Sequence, residues 1–185
     1  MIYKNHISLI FMALIISISL PENFMDASSA NLQLSSSSFK ANQTIPAKHS
    51  YINENISPQL SWTAGTQDTK SYAIICDDPD APQATPWVHW VIFNIPATIN
   101  SLPEGLPNHA NLTQGQQGTN DYSKIGWGGP NPPSGTHRYF FKLYALDSLL
   151  PELIGKTPNK SELLQAMKKH KILAQAELIG KYSAS

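Results

Sequence analysis

Tyr72-Ala73-Ile74-Ile75-Cys76-Asp77-Asp78-Pro79-Asp80-Ala81-Pro82 is an apolar run that ends abruptly in acids and prolines. Its first five residues are uncharged and rich in aromatic and branched side chains, the composition of a buried β-strand. Pro79 and Pro82 fix their own φ and push the residues before them out of the helical region, so the strand must emerge into a stiff turn. Asp78 and Asp80 sit in that turn. An aspartate so placed commonly accepts hydrogen bonds from neighbouring amides, and that structural role is the expectation for Asp80.

Outward from this stretch the pattern repeats: short apolar runs broken at close intervals by Pro, Gly, Asn and Asp, which argues for a mainly β frame. His89 to Asn94 and Tyr139 to Leu146 are the other clear strands. Period two along the strand beginning at Trp87 puts Trp87, His89, Val91 and Phe93 on one face and Val88, Trp90 and Ile92 on the other. The same reasoning places His137, Tyr139, Phe141 and Leu143 together. One helix is expected over Ser161 to Lys169, capped by Asn159, with Leu163, Leu164 and Met167 as its apolar stripe. The segment from Asn94 to Gly128 reads as the longest ordered connection.

The chain has 185 residues, enough for one domain with a sizeable core. Lys4, the 14-residue apolar run Ile7 to Leu20 and the small residues Ala27 to Ala30 follow the order of a secretory signal peptide, with cleavage expected after Ser29 or Ala30. The run is short of the roughly 20 residues a membrane-spanning helix needs, so no stable span is expected. This divides the chain into a signal peptide over 1–30 and a domain over 31–185, and it implies a periplasmic or secreted protein. Cys76 is the only cysteine, so no internal disulfide is possible and stability must come from packing.

Thirteen basic and thirteen acidic residues balance to zero, which argues against a general nucleic-acid or acidic-membrane surface. The one basic cluster, Lys168-Lys169-His170-Lys171, reads as the solvated end of the helix, where cations favour the dipole.

Three polar stretches carry the candidate chemistry: the acidic turn, Trp87-Val88-His89-Trp90, and Gly129-Pro130-Asn131-Pro132-Pro133-Ser134-Gly135-Thr136-His137-Arg138-Tyr139. Acid, imidazole and phenol groups beside proline-stiffened backbone form a small pre-shaped polar pocket in an apolar frame, the usual form of a ligand site. A phosphate held there wants donors. Protonated His89 or His137, the Tyr139 hydroxyl and turn amides would supply them, while Asp78 orients a histidine ring and keeps it charged. Tryptophans 62 and 90 read as core anchors, and His49, His109 and His170 as solvated.

These stretches, with Ser57-Pro58-Gln59-Leu60-Ser61-Trp62 and Glu177-Leu178-Ile179-Gly180-Lys181-Tyr182, resemble the phosphatidylethanolamine-binding proteins in their bacterial Raf-kinase-inhibitor-like (YbhB/YbcL) branch. The resemblance runs from Leu32 to Tyr182 with five motifs in order. It implies an antiparallel Greek-key β-sandwich with a short helix near the C-terminus. It also implies a small cavity for phosphate or another anionic group, lined by Asp78, His89, His137 and Tyr139. Asp80, Pro82, Trp87, Gly129, Pro130, Asn131 and Pro133 correspond to its rim, Asn131 standing where animal relatives carry glycine.

The expected protein is therefore an exported binding protein that performs no chemistry and needs no cofactor. Its ligand would be a small anion such as phosphate or a phospholipid headgroup, and a protein partner and a monomer or homodimer both remain open. Two rival readings belong to other classes. Asp78, His89 and His137 have the residue types of a two-histidine, one-carboxylate metal triad. An inhibitor acting through its surface loops would present the Asn94 to Gly128 connection. A hydrolase is the weakest reading, because no Gly-x-Ser-x-Gly elbow occurs and Cys76 lies in an apolar strand.

Overall fold

A computed structural model describes residues 31–184; the expected signal peptide over 1–30 lies outside the described residues. Nine strands and one α-helix follow one another: β1 (Leu34–Ser35), β2 (Leu60–Trp62), β3 (Ser71–Asp78), β4 (Trp87–Pro96), β5 (Ser101–Leu102), β6 (Asn111–Leu112), β7 (Gly115–Gln117), β8 (Thr136–Leu146), α1 (Lys160–Met167) and β9 (Ile172–Ser183). All named pairings are antiparallel. β1, β2 and β5 form a small sheet, and the large sheet runs β6-β7-β4-β3-β8-β9.

The apolar run that opens β3 is unbroken because the strand is covered on both faces. On one side Tyr72, Ile74 and Cys76 join Trp90, Ile92, Phe141 and Leu143 against Leu34, Leu60, Trp62 and Leu102 of the small sheet. On the other, Ala73 and Ile75 join Val91 and Phe93 against Leu163, Ala166 and Met167 of α1. The frame is thus two packed sheets with a helix laid on the outer face of the larger one. Trp62 and Trp90 are core anchors, as expected.

Local chemistry fixes the helix. Asn159 accepts from the Glu162 amide at 3.0 Å while Glu162 accepts from the Asn159 amide at 2.9 Å, a reciprocal cap that starts α1 at Lys160, one residue before the expected Ser161. The helix ends at Met167 rather than Lys169. A wholly buried Asp77 tethers it to the sheet, accepting from Lys142 on β8 at 2.7 Å and from Lys160 at the start of α1.

Two expectations are corrected, and one strand escaped the sequence reading. The connection from Asn94 to Gly128 is not one long loop: it contains β5, β6 and β7, strands too short to show a period-two pattern. β9, the longest strand, is paired with β8 along its length, although its alternation is blurred by the small residues Ala174 and Ala176. Strict alternation fails in β4. Cys76 pairs with Trp90 and Asp77 with Val88, which leaves His89 as the extra residue of a β-bulge. His89 and Trp90 therefore both turn toward the core between the sheets, while Val91 and Phe93 turn toward the helix.

Candidate functional site

The ends of β3, β4 and β8 meet where the Asp78 turn, the bulge at His89 and the start of β8 come together. A cavity of about 270 Å³ opens there, lined by Asp78, Ala81, Pro82, Gln83, Trp87, His89, Tyr122, Asn131, Pro132, Pro133 and His137. Asp78 pairs with Trp87 across the β3–β4 ladder, so the carboxylate and the indole share a face by register alone.

Asp78 is 3 % exposed and both its oxygens are engaged. Oδ1 accepts from the Asp80 amide at 2.8 Å, closing the turn, and Oδ2 lies 2.7 Å from His137 Nδ1. The pair fixes the His137 tautomer: Nδ1–H donates to the carboxylate, and Nε2 has no protein partner among the described residues. The expectation that Asp78 orients a histidine thus names His137.

His89 is held differently. Its Nδ1 lies 2.6 Å from the Gly128 carbonyl, to which Nδ1–H donates. Burial pushes its pKa below the ordinary histidine value, outweighing the Gly128 hydrogen bond and the Asp78 charge. Of the two imidazoles expected as donors, His89 is thus the one whose charged form burial disfavours, and in its neutral form Nε2 is an acceptor.

Tyr139 does not line the cavity. It is wholly buried behind His89, with ring centroids 5.0 Å apart, and its hydroxyl has no partner among the described residues. Burial drives its pKa far above the usual phenol value. Sharing a face with His137 put it in the core because that face is covered by the small sheet.

The rim is also partly corrected. Pro82, Trp87, Asn131 and Pro133 line the cavity. Asp80 instead clamps Arg138, accepting from its backbone amide and Nε at 2.9 Å and from Nη2 at 2.7 Å. The guanidinium holds the Asp80 carboxyl at about 2. Gly129 and Pro130 stand behind the wall. The Gly129 amide donates to Asn55 Oδ1 at 2.8 Å and the Pro130 carbonyl accepts from the Tyr51 amide at 2.9 Å.

That support also accounts for His49, which is wholly buried rather than solvated. Its Nδ1–H donates to the Ile56 carbonyl at 2.8 Å, and its own carbonyl accepts from Trp127 Nε1 at 3.0 Å. Its Nε2 has no hydrogen bond among the described residues and faces Glu104 Oε2 at 3.6 Å. His109 is exposed, and His170 is half-buried against Ser148.

Sequence reasoning missed Tyr122. It lies in the segment read as a connection, yet its ring forms a cavity wall, stacked on Tyr51 at 4.0 Å and edge-on to Trp87 at 5.3 Å and His89 at 5.8 Å. Burial pushes its pKa up to about 12, and its neutral hydroxyl donates to the Gly129 carbonyl at 3.2 Å. Asp121 beside it, holding the Val88 amide at 2.7 Å, anchors this loop to β4. No periodicity marks such a residue. Among the described residues no group of three His, Cys, Asp or Glu side chains has a geometry suited to a metal ion.

The family model for phosphatidylethanolamine-binding protein matches residues 35–183. A UPF0098 protein of Methanothermobacter thermautotrophicus is 47 % identical over 152 residues, 82 % of this chain and 98 % of the relative. Another, from Chlamydia muridarum, is 41 % identical over 82 % of this chain and 98 % of its own length. Among solved structures, Escherichia coli YbcL, described as a member of the mammalian PEBP family, superposes with a TM-score of 0.76. It is 32 % identical, covering 84 % of this chain and 100 % of YbcL. A PEBP homologue from Chlamydia trachomatis gives 0.74 at 36 % identity, over 83 % of this chain and 98 % of that one.

Proposed function

Since this chain belongs to the phosphatidylethanolamine-binding protein family, we propose that its cavity binds a small anion, a phosphate or phosphate monoester. The observation that carries the reading is the contrast between the two imidazoles. His137 is turned by Asp78 so that its free Nε2, when protonated, donates into the cavity. His89, neutral and tied at Nδ1, offers Nε2 as an acceptor. One donor and one acceptor match a phosphate that still carries a proton, P–O⁻ meeting His137 and P–OH meeting His89. At about 270 Å³ the cavity lies below the usual range for drug-sized ligands and suits a headgroup-sized one.

The reading gives the protein a binding role. Export follows from Lys4 and the apolar run Ile7 to Leu20 and belongs to the same proposal; N-terminal sequencing of the mature protein checks it. The binding test is an NMR titration with inorganic phosphate and O-phosphoethanolamine near pH 6, repeated with His89→Ala and His137→Ala. Saturable shifts around Asp78, His89 and His137 that disappear in both variants support the proposal. An unresponsive wild type overturns it.

A further inference from the structure

At the end of the large sheet remote from the cavity, the chain gathers features that are scattered in sequence. β8 runs from Thr136, beside the cavity, to Leu146. Eleven residues at about 3.3 Å per residue put its two ends roughly 30 Å apart. The turn after Leu146 is stitched to the segment after α1. The Asp147 amide donates to the Lys171 carbonyl at 3.2 Å, the Lys171 amide donates to Asp147 Oδ1 at 3.1 Å, and Ser148 Oγ lies 2.7 Å from His170 Nδ1.

This junction exposes Leu149 (47 %), Ile154 (61 %) and Ile172 (37 %), three of the four large apolar side chains exposed among the described residues. Single exposed apolar residues are ordinary, but here two lie in the segment after β8 and the third opens β9, which the Asp147–Lys171 bonds hold beside it. Beside them stand the exposed Lys168, Lys169 and Lys171, the chain's only basic cluster. Lys168 and Lys171 have no carboxylate partner within 4.0 Å among the described residues, and Lys169 reaches only Glu152 at 3.9 Å. The nearby carboxylates Asp147, which accepts from the Lys171 amide at 3.1 Å, and Glu152, 3.5 Å from His170, keep their charge but form no close ion pair with Lys168 or Lys171.

We propose that this end of the sandwich docks on the surface of an anionic phospholipid bilayer, Leu149, Ile154 and Ile172 entering the headgroup layer while Lys168, Lys169 and Lys171 meet lipid phosphates. Apolar side chains ringed by free cations are complementary to a layer that is apolar inside and negative at its face. The occupant is a lipid surface rather than a single headgroup, and the site is separate from the cavity, which stays open to solvent at the far end of β8.

The experiment is co-sedimentation of the protein with vesicles of phosphatidylglycerol and phosphatidylcholine (3:1), against vesicles of phosphatidylcholine alone, at about 0.05 M and about 0.5 M salt. Pelleting is expected only with the anionic vesicles and only at low salt. Two variants are run separately, both built at exposed positions and checked for unchanged thermal unfolding. Lys168→Gln/Lys169→Gln/Lys171→Gln is expected to lower the apparent affinity roughly a hundredfold, and Leu149→Ser/Ile154→Ser about tenfold. His137→Ala, which empties the cavity of its donor, is expected to leave sedimentation unchanged. No binding of wild type to anionic vesicles at low salt overturns the proposal. So does binding that the lysine variant leaves intact.

Discussion

The Asp78 carboxylate and the His137 imidazole meet at 2.7 Å across 59 positions of sequence, on the ends of two neighbouring strands of the large sheet. Neither residue has freedom to leave. Asp78 is also tied to the Asp80 amide at 2.8 Å, and both side chains are nearly closed to solvent. A nearly buried, charge-assisted hydrogen bond of this kind sets which imidazole nitrogen faces the ligand.

Asp78→Asn tests that relationship. The amide is close in shape but turns the charge-assisted bond to His137 Nδ1 into a weaker neutral one, so the ring that presents Nε2 to the anion is held less firmly. Phosphate affinity is expected to fall about tenfold, the equivalent of a hydrogen bond to a charged group. Isothermal titration near pH 6 measures it, and unchanged affinity would remove Asp78 from the binding machinery.

A second prediction concerns the wall rather than the ligand groups. A Cβ on Gly129 would stand 2.0 Å from the His49 carbonyl oxygen and 2.8 Å from the Tyr51 nitrogen. Both obstacles are backbone and cannot rotate away. Gly129→Ala is therefore expected to cost about 1–3 kcal/mol of stability as an overpacked site and to displace the loop that carries Asn131 and Pro133. Urea unfolding reads the first effect, amide shifts at Tyr51 and Tyr122 the second. A variant as stable as wild type would show that this packing is loose.

Much of this was legible in sequence because the governing physics is local. The apolar run before Asp78, the prolines after it and the Asn159 cap each specify their structure from a few neighbouring residues. The family motifs located Asp78, His89 and His137 at one cavity. What escaped was set by distant contacts. The bulge at His89 depends on how β3 and β4 align, and no pattern within β4 announces it. Tyr139 looked like a ligand group until the small sheet covered its face. Tyr122 and His49 sit in irregular segments, where burial is decided by what packs over them: Tyr51 stacks on one, and the Gly129 backbone closes on the other.

His49 and His89 predict how stability changes with acidity. Burial lowers both pKa values, so the unfolded chain binds protons more readily than the folded one. Stability from these groups is complete above the ordinary histidine value of about 6.5 and is lost as pH falls through their lowered folded values. Wild type is therefore expected to weaken between about pH 7.5 and 5.5. His49→Gln should be less stable at the upper pH, since the Ile56 carbonyl loses its imidazole donor, yet decline less steeply. Parallel declines in urea midpoints for the two proteins would exclude His49 as a source of the slope.

Asp80 and Arg138 give the opposite end of the pH scale. The guanidinium forks onto the carboxylate through Nε and Nη2 while the Arg138 amide donates to the same group, and the Asp80 carboxyl is held at about 2 against an ordinary 3.8. Because the folded value is the lower one, this contribution is present above about 3.8 and lost as pH falls through about 2. Asp80→Asn is expected to lower the urea midpoint at pH 6, with the gap to wild type narrowing steadily below pH 4. Arg138 is half exposed, so salt at about 1 M should shrink the gap at pH 6 as well. The variant should still bind phosphate, because Asp80 lies outside the cavity lining. A gap independent of pH would assign the effect to the neutral hydrogen bonds of the clamp and deny its charge any part in the fold.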